Sequence, residues 1–187
     1  MALSTFSVYG TIYSGWLGNS KYSLLGGLRA VSQLISYELI MSFTFLVVIC
    51  FSRSANFSSI VLAQSDLYFV FPLWPVAFLF YVAILAETNR TPFDLAEAEA
   101  ELVSGYNTEF AALLFAFFFL AEYSSMLLLC AVFVLLFLGG WLPILFFGFV
   151  FPGFFVFSAK VIGLMVSLIL VRAALPRFRY DFLMLIC

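Results

Sequence analysis

Six carboxylates, Glu87, Asp94, Glu97, Glu99, Glu101 and Glu109, stand between positions 87 and 109 with a single cation, Arg90, among them. The stretch reads ETNRTPFDLAEAEAELVSGYNTE. Crowded, partly buried carboxylates hold their protons more tightly than isolated ones, and their titrations couple. That is the chemistry of proton uptake near neutral pH. Pro92 ends any helix arriving from the preceding residues, and Phe93-Asp94 opens a short new segment. On a helix Asp94, Glu97 and Glu101 would share one face at spacings of three and four, where like charges repel. The cluster is therefore no stability device. A solvated loop could carry the same charges without using them. Two features weigh against that: Pro92, Phe93, Leu95, Leu102 and Val103 prefer burial, and the acidic excess opposes the basic bias of inside loops.

Two further carboxylates fall within long apolar runs, each beside a tyrosine: Glu38 next to Tyr37 and Glu122 next to Tyr123. A charge at the bilayer centre costs at least about 2.5–3.5 kcal/mol, so each marks a functional site by default. The alternatives are a structural ion pair with Arg29 or Lys160, or a carboxyl kept protonated. The chain has no histidine. Any proton relay must run through carboxylates, lysine, tyrosine and water.

The three cysteines, Cys50, Cys130 and Cys187, are far apart, and no zinc or iron–sulfur spacing occurs. No dinucleotide or phosphate loop is present. Metal, flavin and nicotinamide are thus expected on other polypeptides. A net charge of −2 gives no basic footprint for nucleic acid. The phenylalanines at 115–119 read as lipid-facing bulk rather than an aromatic ligand box.

What positions these groups is a membrane. The 187 residues are 65% hydrophobic and only 10% charged, where a soluble domain carries about 25% charged residues. The sequence predicts an all-α integral membrane protein, one domain over 1–187, with four to five transmembrane helices and a structured acidic inside loop. A span needs about 20 apolar residues. Candidates are 25–51, 67–86, 110–138 and 154–173, with 2–17 as a partial one and the acidic loop at 87–109. Pro72 and Pro75 in 67–86 are tolerated as membrane-helix kinks. Gly139-Gly140, Pro143 and Pro152 mark a hydrophobic hairpin.

If all five stretches cross, Lys21, Arg90, Arg172, Arg177 and Arg179 fall on one side, with Arg53 and Lys160 on the other. The acidic loop and the C-terminal RFRYD then face the inside. The N-terminus lacks a secretory signal and an Arg-rich transit peptide, so synthesis inside the organelle or bacterium is expected.

Residues 87–110 resemble the signature of the NADH:ubiquinone oxidoreductase chain 1 family, ETNR-x-PFDL-x-E-x-E-x-ELVSG followed by a Glu-aromatic pair. Three other stretches are similar to the same family in the same order: SKYSLLGGLRAVSQLISYE at 20–38, FFLAEY at 118–123 and VRAALPRFRYDFLM at 171–184. Thr91 and Ala98 depart from it, where the family often has alanine and glycine; neither removes a charge. The resemblance implies a membrane subunit of complex I, in the mitochondrial inner membrane, coupling ubiquinone reduction to proton translocation without carrying electrons. It implies that Glu87, Arg90, Asp94, Glu97, Glu99 and Glu101 line a ubiquinone chamber, with Arg29, Phe119 and Arg172 beside it. Glu38, Glu109 and Glu122 would continue an acidic path towards antiporter-like subunits. The FMN and iron–sulfur clusters would sit on other subunits, with the peripheral-arm quinone-site subunits as direct partners. The family has eight membrane helices. This chain reads as starting in the third and stopping before the eighth, so a separate chain is expected to supply the first two. The related coupling subunit of a membrane-bound hydrogenase, an independent proton or cation channel and a structural remnant are the alternatives.

Overall fold

The computed structural model describes residues 5–19, 21–88, 93, 112–143 and 152–176, and the elements among them are all helices. They are α1 (Thr5–Leu17), α2 (Lys21–Ser52), α3 (Phe57–Leu62), α4 (Trp74–Glu87), α5 (Ala112–Phe137) and α6 (Gly153–Ala174). The remaining residues of the acidic loop, Asn89 to Pro92 and 94–109, lie outside the described set, as do 144–151 and 177–187.

Three helices, α2, α5 and α6, are long and apolar enough to cross a membrane. At about 1.5 Å per residue, the 22 residues of α6 reach about 33 Å, against about 30 Å of hydrocarbon. Large apolar side chains such as Leu28, Phe43, Phe117, Leu120 and Leu170 face outwards, which a bilayer stabilises and water would not. The chain is an all-α integral membrane protein. The phenylalanine run at 115–119 is divided: Phe117 is exposed, while Phe118 packs against the buried Ala30 of α2.

The 67–86 stretch is helical only from Trp74. Pro75 lies in the first turn of α4, where its missing N–H would have no intrahelical partner anyway. Pro72 disfavours helical backbone at the residue before it. The prolines therefore start the helix instead of kinking it. At 14 residues α4 spans about 21 Å. The residues ahead of it do a different job, which is to close the end of α5.

That end shows why the chain folds as it does there. The last carbonyls of a helix have no intrahelical partner, and in hydrocarbon each orphan is costly. Gln64, 1% exposed, donates its amide to the carbonyls of Leu135 and Leu136 at 3.1 Å each. The Val70 N–H donates to the Phe137 carbonyl at 3.1 Å. Lys160 of α6 donates its ammonium to the carbonyls of Leu138, Gly140 and Leu142 at 2.7, 3.1 and 2.8 Å. An ammonium has three donors, and all three are committed. The sequence offered Lys160 as an ion-pair partner for an intramembrane carboxylate; the structure assigns it to a helix terminus, whose dipole favours a cation.

The turn that makes this possible rests on Gly139 and Gly140, with φ of +69° and +50°. A Cβ on Gly139 would lie 2.6 Å from a ring carbon of Tyr68. That ring cannot swing away freely, because its hydroxyl donates to the Pro143 carbonyl and Lys160 sits 5.2 Å over its face. Gly139→Ala is expected to lower stability by at least about 1–2 kcal/mol from the left-handed backbone alone. A melting temperature of the solubilised assembly equal to that of the unaltered protein would contradict this.

Phe80, fully buried, anchors the core, with Phe45, Phe133 and Phe137 at ring distances of 5.6, 6.0 and 5.8 Å. It joins α2, α4 and α5. Tyr81 and Ser167 share a hydrogen bond of 3.1 Å between α4 and α6. At the other flank α1 folds back on α2 through small residues. A Cβ on Gly15 would meet the Gly27 Cα at 3.3 Å, and the Ser23 hydroxyl donates to the Gly15 carbonyl at 3.2 Å.

Candidate functional site

The opposite end of the bundle gathers the polar groups that structure alone does not need. Here α4 ends at Glu87, and its cap Thr88, 1% exposed, donates its hydroxyl back to the carbonyls of Ile84 and Leu85 at 2.9 and 3.3 Å. The helix therefore stops on a satisfied turn and delivers Glu87 just beyond the 67–86 apolar stretch.

Glu87 is half-buried, and its Oε2 is buried without a hydrogen-bond partner. A carboxylate in that setting loses hydration and gains nothing in return. Burial first, and then the charge of Glu38 on α2, push the Glu87 carboxyl from 4.5 up to about 7. The charge of Glu38 on α2 therefore reaches Glu87, although 49 positions separate them (87 less 38). A carboxyl that titrates near neutral pH changes its proton occupancy when charge changes nearby.

A residue that sequence reading passed over organises this place. Gln33 is fully buried on α2, and its side-chain amide donates to the carbonyls of Ala86 and Phe93 at 3.0 Å each. Phe93, 5% exposed, meets the buried Tyr37 at a ring distance of 5.6 Å. The burial preference read from Phe93 is met. The signal available in sequence was an uncharged amide in an apolar helix, Gln33 at i−4 from Tyr37.

Beside Thr88 lies a cavity of about 220 Å³, lined by Leu85, Thr88, Tyr123, Met126, Leu168, Ile169 and Arg172. It is walled by α4, α5 and α6, with the Arg172 guanidinium on the last turn of α6. Arg172 is exposed, Glu122 is half-buried next to the cavity residue Tyr123, and Arg29 and Phe119 are half-buried without lining it. Arg90, Asp94, Glu97, Glu99, Glu101 and Glu109 lie outside the described residues. Among the described residues no group of three His, Cys, Asp or Glu side chains could hold a metal ion.

The arrangement can thus do two things. A half-buried carboxyl titrating near neutral pH, Glu87, can take up or release a proton, and an adjoining apolar cavity lined by Arg172 can face an uncharged or anionic molecule. Comparison with known proteins agrees with a single lineage. The family model described as NADH dehydrogenase matches residues 1–187. The chain is 49% identical to NADH-ubiquinone oxidoreductase chain 1 of Chondrus crispus, over 98% of this chain and 57% of that protein. It is 50% identical to the protein of the same name in Triticum aestivum, over 98% of this chain and 57% of the relative. It is 48% identical to one of the subunits of NADH-quinone oxidoreductase from Paramagnetospirillum magneticum, over 98% of this chain and 54% of that protein. The chain spans about half the length of these curated relatives.

Proposed function

The chain belongs to the NADH dehydrogenase family, and from that premise we propose that it is a membrane subunit of a proton-pumping NADH:ubiquinone oxidoreductase whose acidic residues couple quinone reduction to proton movement. The observation that carries the reading is Glu87, a carboxyl raised to about 7 by burial and by the charge of Glu38, next to the Ala86 carbonyl that Gln33 holds. Ubiquinone reduction takes up two electrons and two protons, so negative charge develops where the quinone head sits. Carboxylates with raised, coupled proton affinities respond to that charge by gaining or passing protons. The chain supplies no electron carrier; FMN and iron–sulfur clusters belong to other subunits, and the quinone is substrate.

Within this reading Glu87, Arg90, Asp94, Glu97, Glu99 and Glu101 wall the quinone chamber, and Arg29, Phe119 and Arg172 contribute to it. Glu38, Glu109 and Glu122 start the path towards the antiporter-like subunits. The direct partners are the peripheral-arm quinone-site subunits, those membrane subunits and lipid. Relatives named NADH-ubiquinone oxidoreductase chain 1 favour the mitochondrial inner membrane. The relative from Paramagnetospirillum magneticum keeps a bacterial plasma membrane as the second host.

Asp94→Asn and Glu97→Gln variants test the reading in the assembled complex. Each is expected to slow quinone reduction several-fold, on the order of general acid–base contributions shared among several groups, and to alter its pH dependence. Assembly should survive, and electron flow from NADH to a hydrophilic acceptor should be unchanged. Normal quinone reduction and pumping by both variants across pH would make the loop ordinary surface.

A further inference from the structure

We infer that Gln33 is a positioning residue for this chemistry: its amide ties Ala86 to Phe93 and so fixes where Glu87 stands against Glu38. The inference rests on the proton-coupling reading above and adds the device that holds the pair in place.

The geometry is specific. An amide nitrogen carries two hydrogens, and those of Gln33 go to two carbonyls that lie 53 and 60 positions further along the chain. Two bonds of 3.0 Å to one nitrogen put the Ala86 and Phe93 carbonyl oxygens no more than about 6 Å apart. The two carbonyls bracket Glu87 in sequence, so one side chain fixes backbone on both sides of it. The Tyr37–Phe93 ring contact backs the return point. A leucine would fill the same space in an apolar helix interface as well as a glutamine does. What a leucine cannot do is hold two strands of backbone together at one point. Such a knot decides how much water reaches Glu87 and how near it stays to Glu38.

The test compares Gln33→Leu, Gln33→Glu and Glu87→Gln in the assembled complex in native membranes. Q33L keeps the volume and loses both bonds. It is expected to slow quinone reduction about ten-fold per assembled complex and to move the pH midpoint of that rate downwards by about one unit, as Glu87 becomes hydrated. Hydrogen exchange at the Ala86 to Phe93 amides should rise, while NADH oxidation by a hydrophilic acceptor stays unchanged. Q33E can donate one hydrogen when protonated and none when ionised. It should therefore approach the unaltered enzyme at low pH and Q33L at high pH. Among the described residues, other charged or titratable groups on these elements are Arg29, Tyr37 and Glu38 on α2 and Glu87 on α4, with Tyr123 on α5 and Arg172 on α6 at the cavity beside Thr88. All are common to both variants, so their difference reports position 33.

Unchanged rate, midpoint and exchange in Q33L would overturn the inference. If Glu87→Gln is impaired while Q33L is not, the positioning role alone falls; if neither is impaired, the proton-coupling reading falls with it. Should Q33L fail to assemble, Q33E assembled at low pH and shifted upwards decides the matter, since a rate that follows the unaltered enzyme overturns the role.

Discussion

Glu87→Gln is expected to slow quinone reduction about ten-fold or more while making the protein more stable at alkaline pH. The first effect follows, in the proposed function, from removing a proton-binding group of the quinone chamber, a loss on the scale of general acid–base catalysis. The second follows from linkage. Burial, and then the charge of Glu38, raise the Glu87 carboxyl from 4.5 to about 7 in the folded chain. Between those values the native state holds a proton that the unfolded state has released. Stability from this group is therefore fully present below about pH 4.5 and is lost as pH rises through 7. A displacement of that size corresponds to at most about 3 kcal/mol, less whatever solvent reaches the half-exposed side chain. Glutamine is neutral throughout and should not show the decline. Melting temperatures of the solubilised complex between about pH 5 and pH 8 measure it: a fall in the unaltered protein and a smaller one in the variant. Parallel curves would mean that Glu87 titrates as an ordinary surface carboxylate. A gain in stability with a loss of rate is what strain stored at a functional site produces.

Lys160→Met should have the opposite signature, a large loss of stability with little loss of intrinsic rate. Its ammonium closes three carbonyls at the end of α5, and hydrogen bonds from charged donors contribute about 1.5–3 kcal/mol each. Methionine has similar reach and no donor, so the carbonyls of Leu138, Gly140 and Leu142 would be left facing an apolar interior. A loss of at least about 3 kcal/mol is expected, seen as less assembled complex in membranes and a lower melting temperature. Lys160→Arg should recover part of it, because guanidinium donors can reach some of the same oxygens. Quinone reduction per assembled complex should stay near normal, since Lys160 belongs to the end of the bundle away from Glu38 and Glu87. Full assembly of the methionine variant would show that this terminus is satisfied some other way.

The contrast between these two residues separates what each level of description decides. Composition alone requires a membrane: with 10% charged residues the chain cannot clothe a water-soluble surface, and runs such as 25–51 and 154–173 become helices because backbone polar groups have no other partner in lipid. Within the acidic stretch the burial of Phe93 was equally legible. The charge density of the stretch opposes both helix stability and loop bias, and Phe93 in its midst belongs inside, as its 5% exposure shows. Local pattern could not say what each isolated polar residue was for. Lys160, Gln33 and Gln64 are all polar groups in apolar surroundings, and pattern offered Lys160 as a partner for carboxylates. Only the tertiary structure assigns them, because their partners are backbone carbonyls on other segments: 18 to 22 positions away for Lys160, 53 and 60 for Gln33, and 71 and 72 for the Gln64 bonds to α5. Carbonyls are identical in every residue and leave no mark in sequence. The start of α4 failed to show for a related reason. Pro72 and Pro75 can kink a membrane helix or begin one, and the choice fell to Val70, whose N–H is needed at the Phe137 carbonyl. The raised Glu87 carboxyl is likewise a tertiary fact: its charge was visible in the sequence, but its burial and the nearness of the Glu38 charge exist only once α2 and α4 have packed.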